Sequence, residues 1–162
     1  MIPETIENAR KIVIKIGSTT LAKKDGTINF DFMKDLARQC TDLIHRGKQI
    51  VLVSSGAQVA GVSTLDRWAR KKDIHYRQAL CAIGQVELMD KWRNAFGEFG
   101  IHIGQLLLTK DDFANDHRTL NMRNTLFTLV DEGVIPVINE NDSVSFDEIR
   151  IGDNDNLSAL TA

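Results

Sequence analysis

Two clusters of carboxylates and carboxamides near the end of the chain are the residues best suited to chemistry. Asn139-Glu140-Asn141-Asp142 follows the apolar run Val134-Ile135-Pro136-Val137-Ile138, and Gly152-Asp153-Asn154-Asp155-Asn156 comes shortly before the last residue, Ala162. Ionised carboxylates packed together repel one another, and each one taken out of water needs a cation or hydrogen-bond donors. The carboxamides supply donors; a metal ion or a ligand amine would supply the cation. A buried strand ending in such a set predicts a site for a small charged molecule. Ligands of open α/β sheets bind at that place, the carboxyl ends of the strands.

Lys15 is the third candidate. It lies in the β-branched run Lys11-Ile12-Val13-Ile14-Lys15-Ile16, just before Gly17-Ser18-Thr19-Thr20. Alternation puts it on the face of Val13 and predicts partial burial, and a buried lysine needs a carboxylate or a functional role. Beside a glycine turn, that role is holding a phosphate. Neither the Gly-Lys-Ser/Thr loop of P-loop proteins nor Gly-x-Gly-x-x-Gly is present, so neither loop type would do the holding. Ser54-Ser55-Gly56-Ala57 is a second small-residue strand end. Glycine there lets backbone N–H groups approach an anion, and a helix starting after it adds its dipole. Either segment alone is weak, because an ordinary strand-to-helix turn has the same composition. Their coincidence with the acidic clusters raises the functional reading.

The elements that must position these groups follow from periodicity. Residues 11–16, 49–54, 101–108 and 134–138 read as strands. Residues 32–45, capped by Asn29 or Asp31 and stopped by Gly47, read as a helix with Leu36, Leu43 and Ile44 on one face. Further helices are expected over 57–65, 74–96 and 116–131, the last capped by Asp116 and stopped by Gly133. Residues 143–151 alternate Val144, Phe146, Ile149 and Ile151 around Asp147-Glu148, as a surface hairpin would. A last helix starts near Asn154. Strand and helix in alternation predict a mainly parallel sheet with helices on both faces, a three-layer α/β/α sandwich.

The chain has 162 residues, enough for one domain with a core, and a net charge of -2 gives no footprint for nucleic acid. The densest basic stretch, Arg67, Arg70, Lys71 and Lys72, reads as a solvated helix end or loop. No run approaches the ~20 apolar residues of a membrane span, and residues 1–10 lack a signal-peptide core. Cys40 and Cys81 have no Cys or His neighbours and read as buried thiols in a reducing cytosol; His45, His75, His102 and His117 lack metal-ligand spacing.

Lys15-Ile16-Gly17-Ser18, Val53-Ser54-Ser55-Gly56-Ala57, Ala82-Ile83-Gly84-Gln85, Gly104-Gln105-Leu106-Leu107-Leu108-Thr109, Asn121-Met122-Arg123-Asn124-Thr125, Pro136-Val137-Ile138-Asn139-Glu140-Asn141-Asp142 and Gly152-Asp153-Asn154-Asp155-Asn156-Leu157-Ser158-Ala159 occur in order along nearly the whole chain. This series resembles the glutamate 5-kinases of the amino acid kinase superfamily, and the pairing of the last two motifs is its most specific part. The resemblance implies that superfamily's α/β/α sandwich. It implies a reaction of ATP and L-glutamate to γ-glutamyl phosphate, the first step of proline synthesis, with Mg²⁺ and with feedback inhibition by L-proline at an overlapping site. It also implies a cytoplasmic protein that forms a homo-oligomer, dimer or tetramer, at full length.

Carried onto this chain, the resemblance makes Lys15 the lysine on the ATP phosphates and Asp155 an aspartate that orients the catalytic lysines. Ser55, Asp142 and Asn154 match glutamate-binding positions, with Asn139 beside them. Gly17, Ser18 and Gly56 match positions around the phosphoryl group, and no residue is assigned as a metal ligand. Gln85 and Thr109 read as packing residues or as support behind the site, and residues 121–124 as a helix face. The resemblance further implies that residues 1–162 are the N-terminal, substrate-binding part of the kinase domain. The C-terminal nucleotide-binding part, with its second catalytic lysine, and any RNA-modification-type domain would be absent, as the lack of a stop signal after Leu157-Ser158-Ala159-Leu160 also suggests. Little or no kinase activity is then expected of this chain alone. The rival expectations are a non-catalytic glutamate- or proline-binding regulatory module, and another superfamily enzyme such as an acetylglutamate, aspartate or uridylate kinase.

Overall fold

A computed structural model describes residues 2–66, 73–144, 155, 158, 159 and 161. In chain order the elements are α1 (Ile2–Asn8), β1 (Lys11–Ile16), α2 (Ser18–Leu21), α3 (Phe30–His45), β2 (Gln49–Ser54), α4 (Ala57–Leu65), α5 (Ile74–Gly97), β3 (Ile103–Leu108), α6 (Lys110–Ala114), α7 (Asp116–Asp131) and β4 (Ile135–Glu140). The four strands form one parallel sheet in the order β1-β2-β4-β3. All four therefore point their carboxyl ends to the same edge.

The sheet divides the core in two, and strand alternation decides which side chain goes where. Ile12, Ile14, Ile16, Ile50, Leu52, Ile135 and Val137 pack with α3 and α5, around Met33, Cys40, Leu88, Trp92 and Phe96. Val13, Val51, Val53, Leu106, Leu108 and Ile138 pack against the other face with Phe113 of α6 and Met122, Leu126 and Leu129 of α7. The sandwich expected from the sequence is present, with a much larger apolar cluster on the α3/α5 side.

Helix α5 holds the larger layer together. Its buried residues Leu80, Cys81, Gly84, Leu88, Trp92, Ala95 and Phe96 recur at three- and four-residue spacing on one stripe. Gly84 allows α4 to lie almost in contact with it: a Cβ at Gly84 would sit 1.8 Å from the carbonyl oxygen of Ala57. The indole of Trp92 donates to Ser54 Oγ at 2.9 Å, so the fully buried ring is also tied to the end of β2.

Several boundaries differ from expectation for identifiable reasons. Asn29, not Asp31, caps α3, its Oδ1 accepting from the Phe32 N–H. Asn115, not Asp116, caps α7, accepting from the Arg118 N–H at 3.0 Å. The short helices α1, α2 and α6 escaped the periodicity reading because one or two turns present too little apolar pattern. β4 runs two residues past Ile138, since its register with β3 continues through Leu107↔Asn139 and Leu108↔Glu140. The carboxamide–carboxylate cluster thus begins inside the sheet. Val144 is exposed at a turn; the rest of the expected hairpin, with Phe146, Ile149 and Ile151, lies outside the described residues, as does the basic stretch 67–72.

Candidate functional site

The strand ends bring most of the predicted residues to one edge. β1 delivers Lys15 and Gly17-Ser18; β2 delivers Ser54-Ser55-Gly56; β4 delivers Asn139 and Glu140, followed by Asn141-Asp142. β1 and β2 stay in register to their ends, and the Ser55 N–H donates to the Ile16 carbonyl at 2.9 Å.

At the β1 end, Lys15 Nζ lies 2.5 Å from Asp155 Oδ1. The lysine side chain is 33% exposed and the aspartate 63%. The Lys15 side chain is thus partly covered, at the next-to-last position of an edge strand. A carboxylate meets it there, as expected of a partly buried lysine. Gly17 stands beside it, where a Cβ would be in ordinary contact with Lys15 Nζ at 3.6 Å. Gly56 precedes α4 at φ 107, a left-handed conformation that favours glycine. A Cβ there would come 3.1 Å from Leu21 Cδ1.

At the β4 end the polar groups are buried and interlocked. Asn139 is 2% exposed and Glu140 is 7% exposed. The Glu140 N–H donates to Asn139 Oδ1 at 2.9 Å, and Asn139 Nδ2 donates to Gln85 Oε1 at 2.8 Å. One turn earlier on α5, the Cys81 thiol hydrogen-bonds Asp142. Burial pushes that thiol far up, the Asp142 carboxylate pushes it further, and Arg77 pulls the other way. Gln85, Gln105, Leu107, Cys81 and residues 140–143 line a cavity of about 240 Å³.

Sequence reasoning missed the part α5 plays here. Gln85 is a wall of the cavity, not packing behind it. The available signal was Arg77, Cys81 and Gln85 at i, i+4 spacing, which puts three polar or polarisable groups on one stripe of the amphipathic helix. Thr109 acts locally, capping α6 in a reciprocal box with Asp112. Residues 121–124 lie on α7, as expected of a helix face. Asn154, assigned to glutamate binding, lies outside the described residues, as do Gly152, Asp153 and Asn156. Among the described residues no group of three or more His, Cys, Asp and Glu side chains is placed to hold a metal ion, and no helix is long and apolar enough to cross a membrane.

This geometry can bind a zwitterion on one side and an anion on the other. Asp142 and the carboxamides face the cavity at β4, while the Lys15 ammonium and two glycines face the space at β1 and β2. Comparison with known proteins places the chain in a family. The profile of the amino acid kinase family matches residues 10–162. The chain is 64% identical over 161 residues to a glutamate 5-kinase of Alkaliphilus metalliredigens, covering 99% of this chain and 61% of the relative. It is 57% identical to that of Alkaliphilus oremlandii, covering 100% and 62%, and 48% identical to that of Methanococcoides burtonii, covering 98% and 43%. The chain therefore spans about three fifths of the length of the first two. Among solved structures, the UMP kinase of Ureaplasma parvum superposes with a TM-score of 0.51 at 18% identity, over 81% of this chain and 56% of that one, a likeness of fold alone. On its profile match and its architecture, the chain belongs to the amino acid kinase family.

Proposed function

We propose that the protein carrying this chain transfers the γ-phosphoryl group of ATP to the γ-carboxylate of L-glutamate, giving γ-glutamyl phosphate for proline synthesis in the cytoplasm. The observation that carries this reading is the two-ended site. A buried amide and carboxylate wall surrounds an amino-acid-sized cavity at β4, and a lysine–glycine cradle stands at the same sheet edge at β1 and β2. The names of the relatives support glutamate as the acceptor.

The donor set fits a nucleotide's phosphates: the Lys15 ammonium, on a side chain a third exposed, stands at the strand ends beside the backbone of Gly17 and Ser18. ATP would supply the phosphoryl group, and Mg²⁺ bound to its phosphates would offset their charge, as this ion usually does with few protein ligands. Such transfer needs positioning and charge neutralisation more than covalent chemistry. Lys15 would hold the phosphoryl oxygens and stabilise the charge that builds on them. Asp155, by its ion pair, would keep Lys15 aimed at that position. Gly17, Ser18 and Gly56 would place backbone donors around the same oxygens. Asp142 would receive the substrate ammonium, with Ser55, Asn139 and Asn154 completing the polar contacts. L-proline, which shares the ammonium and the α-carboxylate, would compete at this end. In this reading residues 1–162 are the substrate-binding part of the kinase domain, and assayed alone they turn over little.

Measurement of ADP release, with the full-length protein and a panel of L-glutamate, N-acetyl-L-glutamate, L-aspartate and UMP, tests the proposal, and hydroxylamine trapping identifies the acyl phosphate where a carboxylate is the acceptor. Turnover of L-glutamate well above the others is expected. Activity with N-acetyl-L-glutamate only would overturn it, because a free ammonium for Asp142 is part of the argument. Saturable glutamate binding with no trapped product would instead support a regulatory module.

A further inference from the structure

The hydrogen bonds at the end of β4 fix the orientation of two amides in sequence. A backbone N–H can only donate, so the contact from Glu140 N–H makes the Asn139 atom facing it an oxygen. Asn139 must then present its NH₂ to Gln85, and the Gln85 atom that meets it must be the oxygen, Oε1. The assignment follows from the network, with no freedom to flip either group. Gln85 is left with its own NH₂ turned the other way. That nitrogen is buried and has no hydrogen-bond partner among the described residues. Gln85 also lines the cavity that Asp142 lines. A buried donor without an acceptor is unfavourable unless a ligand supplies one.

We infer that Gln85 Nε2 is the donor that recognises the α-carboxylate of the amino acid substrate. This rests on the phosphotransferase reading above and adds which end of the substrate lies where. The γ-carboxylate must meet the phosphoryl group near Lys15, on β1. β4 lies two strand spacings away, about 10 Å, and an extended glutamate with the Lys15 side chain fills such a span. The amino-acid end therefore falls at β4. Asp142, one helical turn from Gln85 along α5 through its bond to Cys81, takes the ammonium. Of the donors in that lining, the Gln85 amide nitrogen is the buried one without an acceptor among the described residues, and it is the one assigned to the α-carboxylate. Ammonium and carboxylate of one α-carbon would then meet an acceptor and a donor held on neighbouring turns of the same helix, and with the γ-carboxylate placed near Lys15 as a third point the fit reads both the chemistry and the hand of the substrate.

The test uses the full-length protein and the variants Gln85→Leu and Gln85→Glu. The second is nearly isosteric, keeps an acceptor for Asn139, and lacks the donor, so it decides the matter if the leucine variant fails to fold. Both should raise the KM for L-glutamate roughly tenfold or more while kcat and the KM for ATP stay within about twofold. The inhibition constant of 4-aminobutyrate, which is glutamate without its α-carboxylate, should not change between wild type and Gln85→Glu. An unchanged glutamate KM would overturn the assignment. So would a fall in kcat alone, or an equal loss for glutamate and 4-aminobutyrate. Failure of the wild-type protein to phosphorylate glutamate would instead strike the parent reading, an outcome that the wild-type assay alone reveals.

Discussion

The two ends of the site are built differently. At β4, Asn139 and Glu140 are buried, and a chain of hydrogen bonds runs from the strand backbone through Asn139 to Gln85, with Cys81 holding Asp142 one turn away. At β1, the polar partners are a lysine a third exposed and an aspartate almost two-thirds exposed, joined by one ion pair. An ion pair so exposed contributes only about 0–1 kcal/mol to stability. The β4 end is thus set before any ligand arrives, and the β1 end presents a more exposed charge held by its ion pair. The difference suits the proposed chemistry. Recognition of an amino acid needs buried, fixed donors and acceptors, and a transferring phosphoryl group needs a cation that it can reach.

The comparison breaks most clearly if the two ends do not separate kinetically. In the full-length protein, Lys15→Ala should lower kcat by about 10²–10³, the usual loss for one charge-stabilising donor, and change the glutamate KM much less. Steady-state kinetics with both substrates varied would show this, and a rise in glutamate KM with normal kcat would mean the ends are swapped. Asp142→Asn should do the converse. Losing the partner of a desolvated ammonium is worth at least about 2 kcal/mol, or roughly thirtyfold in glutamate affinity. L-proline should weaken in parallel as an inhibitor if it shares that contact. Isothermal titration with L-glutamate, L-proline and D-glutamate measures all three.

How much of this was legible follows from the physics of each part. The parallel sheet was, because the apolar runs at β1, β2 and β4 alternate with helices at a spacing that allows little else. Lys15, Asn139 and Asp142 were, because charged or amide groups at the end of an apolar run are conspicuous. How far Lys15 is covered was not: alternation gives the face of a strand residue but not where the covering helix stops. The part played by Gln85 was hidden for a related reason. It sits 54 residues from Asn139 in sequence, and only the closeness of α5 to the end of β4 joins them. Nor did Gly84 announce its role, since a lone glycine in a helix reads as a weak point until its neighbour is known.

That glycine gives a way to perturb one end without touching a polar group. Gly84→Ala puts a methyl 1.8 Å from the Ala57 carbonyl, and backbone cannot yield as a side-chain tip would. Overpacking of this kind costs about 1–3 kcal/mol, so a melting temperature lower by on the order of 2–4 °C per kcal/mol is expected. Because α4 and α5 must move apart, Gln85 should shift from Asn139 and the glutamate KM should rise severalfold. Unchanged melting and kinetics would show that the close helix contact is not what places the wall.

The smallest effect concerns the two thiols, one in each kind of setting. Cys40 lies in the core between α3 and the sheet, and burial alone holds its thiol up at about 11. Cys81 is pushed up by burial and also by Asp142. A folded-state value above the ordinary 9.0 means that the folded protein keeps its proton where the unfolded chain gives it up. The stability tied to these groups is therefore intact below pH 9, and it falls as pH rises toward 11, by up to about 1.4 kcal/mol per pH unit for each thiol. Urea unfolding at about pH 8 and about pH 10 should show this loss, and Cys40→Ala should remove part of it. Cys81→Ala should flatten the slope at least as much and also weaken glutamate, since Asp142 loses its bond. A Cys40 variant that altered glutamate binding, or a Cys81 variant that did not, would erase the distinction between a thiol that only fills the core and one that holds the wall of the site.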